Sequence, residues 1–280
     1  KCGGYTSDIV DGMKWAAGIS VAGVPANANP VRVINLSLGG SGTCSSTWQN
    51  AINSITAAGV VVVVAAGNSN SNASGFAPAN CSGVVTVAST GKAGNRAYYS
   101  NFGTSVEIAA QGGDSSADSG DTILSTLNSG ATVPVDDSYA NYQGTSMAAP
   151  HVAGVVSLML SVDPSLTPSE VTQLLQSSAT AFPGGSTCSV TTCGAGILNA
   201  ATAVAGAAFT VADVPTGLSG VAGNTQVALS WTAPASNGGA AITDYVVQRS
   251  VDGATWTTLI DGVSTVTAYT ATTLTNGTTY

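Results

Sequence analysis

A continuous run of β-branched residues restricts the fold of this chain more than any other feature. Residues 60–66 read VVVVVAA, with no polar side chain to face water on either side. Such a run is typical of a strand in a parallel sheet that is buried on both faces. Apolar residues make up 44% of the 280 residues, which is enough for a sizeable core around that sheet.

Segments on either side of this run complete an alternating pattern. Apolar spacing predicts the following elements: helices over residues 6–22, 46–58 and 169–177, and strands over residues 31–36 and 84–88. Strands that alternate with helices indicate an α/β fold, with a parallel sheet covered by helices. Ligands bind such sheets beyond the carboxyl ends of the strands, and residues 37–39 and 67–68 lie at two of these ends.

Residues 144–154 read GTSMAAPHVAG and predict an exposed serine at the start of an apolar helix. The unpaired N–H groups and the positive end of the helix dipole favour an anion beside the Ser146 hydroxyl. Ser146 is therefore the candidate nucleophile. A Ser/Thr helix cap is the alternative that its position alone leaves open.

This string resembles the nucleophile motif of the subtilases, the subtilisin-like serine endopeptidases. NLSLGG at residues 35–40 resembles the substrate-binding strand of that family, and AAGN at residues 65–68 resembles its segment with the oxyanion-hole asparagine. The resemblance covers roughly residues 1–208 and implies a subtilisin-like fold. It also implies a secreted endopeptidase that hydrolyses peptide bonds through an acyl-enzyme.

The resemblance assigns roles to eight residues: Ser146 as nucleophile, Asn68 as oxyanion donor, and Ser37, Leu38, Gly39, Ala65, Ala66 and Gly67 as substrate-binding residues. An amide donor at Asn68 suits acyl transfer, because negative charge develops on the scissile carbonyl oxygen. The alternative is that Asn68 is a loop asparagine that only stabilises a turn. Small residues on both pocket walls predict a broad specificity with preference for large apolar or aromatic residues before the scissile bond.

The base that should activate the serine is missing from this sequence. His151 is the single histidine, and on a helix it lies about 140° round and about 7.5 Å along the axis from Ser146, so we expect it to pack or hydrogen-bond within the helix. The histidine and aspartate motifs of the family would precede Lys1, so we expect an N-terminally truncated catalytic domain that is inactive alone. An inactive relative with an extracellular binding or adhesion role remains the alternative. An α/β-hydrolase esterase is disfavoured, because Ala148 replaces the second glycine of its motif and no histidine follows at a long interval.

Cysteine content and charge indicate an extracellular protein. Five cysteines accompany only 7% charged residues; Cys188 can pair with Cys193, and Cys44 with Cys81, which leaves Cys2 for a partner outside the sequence. Free buried thiols are the alternative. The net charge of −8 and the lack of a basic run argue against a nucleic-acid partner, and the longest apolar run is too short to span a membrane. We expect a monomer.

The chemistry requires no cofactor, and no metal-binding cluster is evident. Family members commonly bind structural calcium, and Glu107, with backbone carbonyls near Ser82 and Val84, lies where one such site is possible. The alternative is that Glu107 is a single surface glutamate without a metal-binding role. The acidic loop with Asp114, Asp118 and Asp121 is interpreted as solvated.

Residues 213–280 change to short alternating runs rich in Val, Thr and Tyr. We predict strands over residues 226–231, 243–250, 255–260 and 264–270. Trp231, Tyr245 and Tyr280 resemble those of a fibronectin type III module, which implies an incomplete all-β sandwich and a role as spacer or binder of surfaces or polymers. The predicted organisation is a catalytic domain at residues 1–208, a linker at 209–212 and a partial module at 213–280.

Overall fold

The computed structural model describes residues 4–116, 118–208, 211–238, 241–260 and 262–280. The chain forms two compact units, Lys1–Ala207 and Ala208–Tyr280. Cys2 and residues 209–210 of the predicted linker lie outside the described residues.

The first unit combines five α-helices with eight strands in its described residues. Its helices are α1 (Thr6–Ala16), α2 (Ser46–Ala57), α3 (Thr145–Val162), α4 (Pro168–Ser177) and α5 (Ala200–Ala207). Its strands are β1 (Val33–Leu36), β2 (Gly40–Ser41), β3 (Val61–Ala65), β4 (Phe76–Ala77), β5 (Val85–Thr90), β6 (Ile108–Gln111), β7 (Ile123–Asn128) and β8 (Asp137–Tyr142).

A parallel sheet lies at the centre of this unit. Its strands run in the order β1-β3-β5-β6, and every neighbouring pair is parallel. β3 is buried along its whole length, as the run of valines predicts. Alternate residues of β3 face opposite cores: Val61 and Val63 pack with α3, and Val62 and Val64 pack with α1 and α2. The predicted α/β fold, a parallel sheet covered by helices, is confirmed.

Two predictions for this unit were wrong. The first helix ends at Ala16 instead of residue 22, because Gly18 takes a φ of +78° there and leaves the helical path. The acidic loop is not fully solvated: Asp114 and Asp121 are buried. Asp114 accepts a hydrogen bond from the Tyr98 N–H, and Asp121 accepts one from the Lys92 N–H. Backbone donors thus replace the water that was expected around these two carboxylates.

Two disulfides join the predicted cysteine pairs, Cys44 with Cys81 and Cys188 with Cys193. Both pairings are confirmed. Among the described residues one helix, α3, has the length and composition of a membrane span. That helix packs on the parallel sheet, with Val152, Val156 and Met159 in the core.

The second unit contains short antiparallel strands. They are β9 (Thr216–Gly223), β10 (Gln226–Thr232), β11 (Gln248–Arg249), β12 (Thr257–Thr258) and β13 (Ala268–Ala271). β10 pairs with β9 and β13, and β11 pairs with β12. The last three strands are shorter than predicted. β9 was not predicted, because its three glycines interrupt the apolar alternation.

Truncation of Met159 to alanine should lower the free energy of unfolding by about 2–5 kcal/mol, because this fully buried side chain would leave a cavity. Leu158→Ala is the matched control, since Leu158 is 53% exposed on the same helix and should cost much less. Urea unfolding of both variants measures the difference. Equal losses would contradict the placement of α3.

Candidate active site

The eight residues singled out from the sequence line one cleft of about 540 Å³. They come together because β1 and β3 are adjacent and parallel, so both strands end at the same edge of the sheet. Residues 37–39 follow β1 directly, and residues 67–68 follow β3 after Ala66. The start of α3 closes the cleft with Ser146.

The turn before Ser146 depends on glycine. Gly144 has a φ of +153°, its N–H donates to the Gly112 carbonyl at 2.9 Å, and a side chain there would meet the amide of Asn68. Ser146 then occupies the first turn of α3, half-buried. Its Oγ lies 3.4 Å from the Ser37 carbonyl oxygen, and the Ser37 hydroxyl donates to the Ser146 carbonyl at 2.9 Å. These contacts hold the start of α3 against the end of β1.

Thr145 fixes the orientation of the Asn68 side chain. Its N–H and its hydroxyl both donate to Asn68 Oδ1, at 2.9 and 2.8 Å. Its hydroxyl also accepts a hydrogen bond from the Gly67 N–H at 3.1 Å. With the oxygen of the amide committed to Thr145, the Nδ2 donor points to the other side, near Gly144. The arrangement leaves an amide donor beside the serine at a helix N-terminus.

Neither Thr145 nor Asn101 was identified from the sequence as a residue of the site. The buried side chain of Asn101 donates to the Ala66 carbonyl at 2.9 Å and accepts from the N–H groups of Ser69 and Ser71 at 2.9 and 3.1 Å. A Cβ at Gly67 would collide with its Nδ2. Asn101 thus holds the loop that carries Asn68. Thr145 stands within the GTS string and was available to a motif search, whereas no local pattern marks Asn101.

His151 lies outside the cleft lining, on the exposed side of α3. Its Nδ1 donates to the Met147 carbonyl at 2.8 Å, so the ring is hydrogen-bonded within its own helix as predicted. Because it is the single histidine of the sequence, no histidine here is available as the base for Ser146.

Glu107 does not provide a convincing calcium site. Burial raises the pKa of this half-buried carboxyl, and the Gln176 side chain donates to its Oε2 at 2.5 Å. Calcium prefers six or more oxygen ligands, usually with several carboxylates. The described residues contain no group of three or more His, Cys, Asp or Glu side chains that could hold a metal ion. The donor set therefore does not fit the ion, and we derive no role for it.

The site consists of a serine at a helix N-terminus and an oriented amide, at the carboxyl edge of a parallel sheet. It therefore defines an α/β protein with a serine-type site.

Comparison with known proteins supports this class. A family model described as "Subtilase family" matches residues 1–196. The chain belongs to the subtilase family.

Individual relatives match the same region. An extracellular protease of Xanthomonas campestris pv. campestris is 57% identical over 208 residues, which are 74% of this chain and 34% of that protein. An extracellular basic protease of Dichelobacter nodosus is 46% identical, over 66% of this chain and 30% of that protein. A protease structure from Pseudoalteromonas arctica aligns with a TM-score of 0.70 at 56% identity, over 74% of this chain and 60% of that one. The chain spans about a third of the length of the two curated relatives.

Asn101→Ala should lower the free energy of unfolding by about 2 kcal/mol, because it leaves the buried Ala66 carbonyl and the part-buried N–H groups of Ser69 and Ser71 without their partner. Amide hydrogen exchange at Ser69 and Ser71 should accelerate in parallel. The control is Asn50→Ala, an exposed asparagine on α2, which should stay within about 0.5 kcal/mol of the wild type. Unchanged exchange at both serines would refute the role of Asn101.

Glu107→Gln should stabilise the protein at neutral pH but not in acid. A carboxyl whose pKa is raised on folding contributes stability below its unfolded pKa, and that contribution is lost as the pH rises through the folded value. Unfolding free energies of both proteins are measured from about pH 4 to about pH 8, a range that includes carboxyl titration. The unfolding free energy of the variant minus that of the wild type should increase with pH. Glu170→Gln is the contrasting control: hydrogen bonds from Thr167 lower the pKa of Glu170, so its variant should fall behind the wild type as the pH rises.

Proposed function

We propose that this chain supplies the nucleophile, the oxyanion donors and the substrate cleft of a secreted subtilisin-like serine endopeptidase. The observation that carries the proposal is the position of Ser146, beside the oriented amide of Asn68 and the backbone that follows β1, in one cleft of a subtilase-family chain. Relatives named as extracellular proteases support both hydrolysis of polypeptides and secretion.

The proposed chemistry is acyl transfer to serine. Ser146 Oγ attacks the scissile carbonyl carbon and its proton passes to a base. The protonated base then gives that proton to the leaving amine as the C–N bond breaks, and water hydrolyses the resulting acyl-enzyme. The Asn68 Nδ2 donor and the Ser146 N–H stabilise the oxyanion that forms on the carbonyl oxygen. The Ser146 N–H suits this task because the first N–H groups of a helix have no intrahelical acceptor.

The cleft supports binding of an extended peptide. Residues 37–39 leave a β strand and expose backbone groups, to which a substrate adds as a further strand. Ala65, Ala66 and Gly67 form the opposite wall of the specificity pocket, and Phe76 adds an aromatic surface to the lining. This uncharged pocket supports preference for large apolar or aromatic residues before the scissile bond. A substrate scan with a strict preference for Arg or Lys would refute that specificity.

We further propose that these 280 residues do not hydrolyse peptides by themselves, because they contain no histidine placed to act as the base. In the described part of the chain, β1 is one of the two edge strands of the parallel sheet. A polypeptide segment that pairs parallel to β1 on its other side would bring its own carboxyl end close to Ser146. The same lack of a base favours the second candidate function, an inactive relative with an extracellular binding or adhesion role.

The second unit fits a partial fibronectin type III module with a binding or spacing role toward surfaces or polymers. Trp231 packs edge-on against Tyr245 with ring centroids 5.5 Å apart. Tyr280 Oη accepts a hydrogen bond from the Thr275 N–H at 3.0 Å, which is the kind of backbone contact made by the corner tyrosine of such sandwiches.

The purified chain should bind an extended peptide with phenylalanine before the scissile bond, but should not cleave it faster than the Ser146→Ala variant does. His151→Ala should leave binding unchanged. When the same residues are joined to the aspartate and histidine motifs of the family, Ser146→Ala should abolish hydrolysis and Asn68→Ala should lower kcat by about 10²–10³.

Fluorescence anisotropy measures the binding, and release of a fluorogenic leaving group measures the cleavage. Hydrolysis by the chain that Ser146→Ala abolishes would contradict the predicted inactivity. Binding without hydrolysis in the joined protein would favour the inactive relative.

A further inference from the structure

The turn that carries Ser146 rests on two glycines at the end of β6. Gly112 and Gly113 follow this strand directly, and Gly113 takes a φ of +84°. The Gly112 N–H donates to the Thr90 carbonyl at 3.0 Å, and the Gly112 carbonyl accepts the Gly144 N–H. A Cβ at Gly112 would collide with the Gly144 carbonyl oxygen, so the two segments are in close contact. The direction of the Gly112 carbonyl therefore helps to set the position of the turn before Ser146.

The hydroxyl of Tyr99 holds this glycine pair. Tyr99 Oη donates to the carbonyls of Gly112 and Gly113, at 3.0 and 2.5 Å. Neither glycine has a side chain to restrict the rotation of its peptide planes, so these bonds fix the direction of both carbonyls. The Ser89 hydroxyl lies 2.8 Å from the same Oη and can donate to it, which leaves the phenol proton for the glycines.

Tyr99 is itself fixed in position. It is only 8% exposed, and its ring lies edge-on to that of Tyr98 with centroids 5.1 Å apart. Burial raises the pKa of Tyr99 to about 12, so the phenol keeps its proton at neutral and moderately alkaline pH. The Tyr99 carbonyl accepts the Asn70 N–H at 2.8 Å, in the loop that carries Asn68. One residue thus contacts both the loop of the oxyanion donor and the support of the serine turn.

We propose that Tyr99 is a positioning residue for the nucleophile of the proposed peptidase. Tyr99 does not line the cleft, and it acts through the Gly112 carbonyl, which holds the Gly144 N–H. Through these bonds its hydroxyl sets the position of Ser146 Oγ relative to the scissile carbonyl carbon. This inference rests on the proposed acyl transfer at Ser146.

The role of Tyr99 should appear in the rate of hydrolysis and not in peptide affinity. Its hydroxyl is hydrogen-bonded to residues 89, 112 and 113, none of which lines the cleft. The peptide would instead bind residues 37–41 and 65–67, at the ends of β1 and β3 and in β2. A misplacement of a reacting group by about 1 Å can cost about 10²-fold in rate. Loss of the hydroxyl should therefore lower kcat and leave KM nearly unchanged.

The test removes only this hydroxyl, with Tyr99→Phe, in the complete 280-residue chain. Hydrogen exchange of the Gly144 amide should accelerate at least about tenfold relative to exchange of the Val63 amide in the buried β3. This ratio separates a local release of the turn from a general loss of stability. Tyr139→Phe is the matched control: Tyr139 is 73% exposed, and its variant should leave the ratio within about twofold.

The kinetic measurement uses the same residues joined to the aspartate and histidine motifs of the family. There Tyr99→Phe should lower kcat for a fluorogenic peptide at least about tenfold, with KM within about twofold of the unsubstituted protein. Tyr139→Phe should change neither constant. A residue that only stabilised the fold would not separate kcat from KM in this way.

An unchanged exchange ratio in Tyr99→Phe, or a rise in KM without a fall in kcat, would overturn the proposal. If the joined protein without substitutions does not hydrolyse peptides, the proposed function fails. The exchange ratio then decides separately whether Tyr99 holds the serine turn. If Tyr99→Phe does not fold, Ser89→Ala takes its place, because it removes the donor that directs the Tyr99 proton to the glycines. An unchanged ratio in that variant would refute the idea.

Discussion

The parallel pairing of β1 with β3 is the constraint on which the site depends. Asn35 lies opposite Val63, and Leu36 lies opposite Val64, so both strands finish at the same edge. A one-residue shift of this register would displace residues 37–39 relative to Asn68 by the rise of one strand residue. It would also turn each β3 side chain toward the opposite core. The run of valines in β3 therefore sets the geometry of the candidate site indirectly, through the burial of both faces of this strand.

The start of α3 holds Ser146 at this edge of the sheet. One threonine, Thr145, bonds to Asn68 and Gly67, and the next residue, Ser146, meets the end of β1 through Ser37. Residues from three separate segments thus converge on one turn. Because α3 is also a core helix, the position of the serine is coupled to the packing of the whole first unit.

Features encoded in local sequence were predicted well, and features created by tertiary contact were not. The buried strand, the serine turn and both disulfide pairs follow from short segments or from cysteine pairing. The role of Asn101 does not, because its partners lie 30 or more positions away. The burial of Asp114 and Asp121 was missed for the same reason, since their backbone donors belong to a different loop. The helix predicted over residues 6–22 was too long, because apolar spacing continues past Gly18, where the backbone leaves the helical path.

The glycines of the cleft limit which side chains can line it. A Cβ at Gly39 would stand 3.1 Å from the Ala77 carbonyl oxygen, and one at Gly67 would strike Asn101. Gly67 therefore tolerates no side chain, and a side chain at Gly39 requires the Ala77 backbone to shift. Ser41 and Phe76 project from the short β2–β4 pair instead, on the same face of it. Divergence among related chains should therefore concentrate at these two positions, and directed evolution of the cleft would begin there.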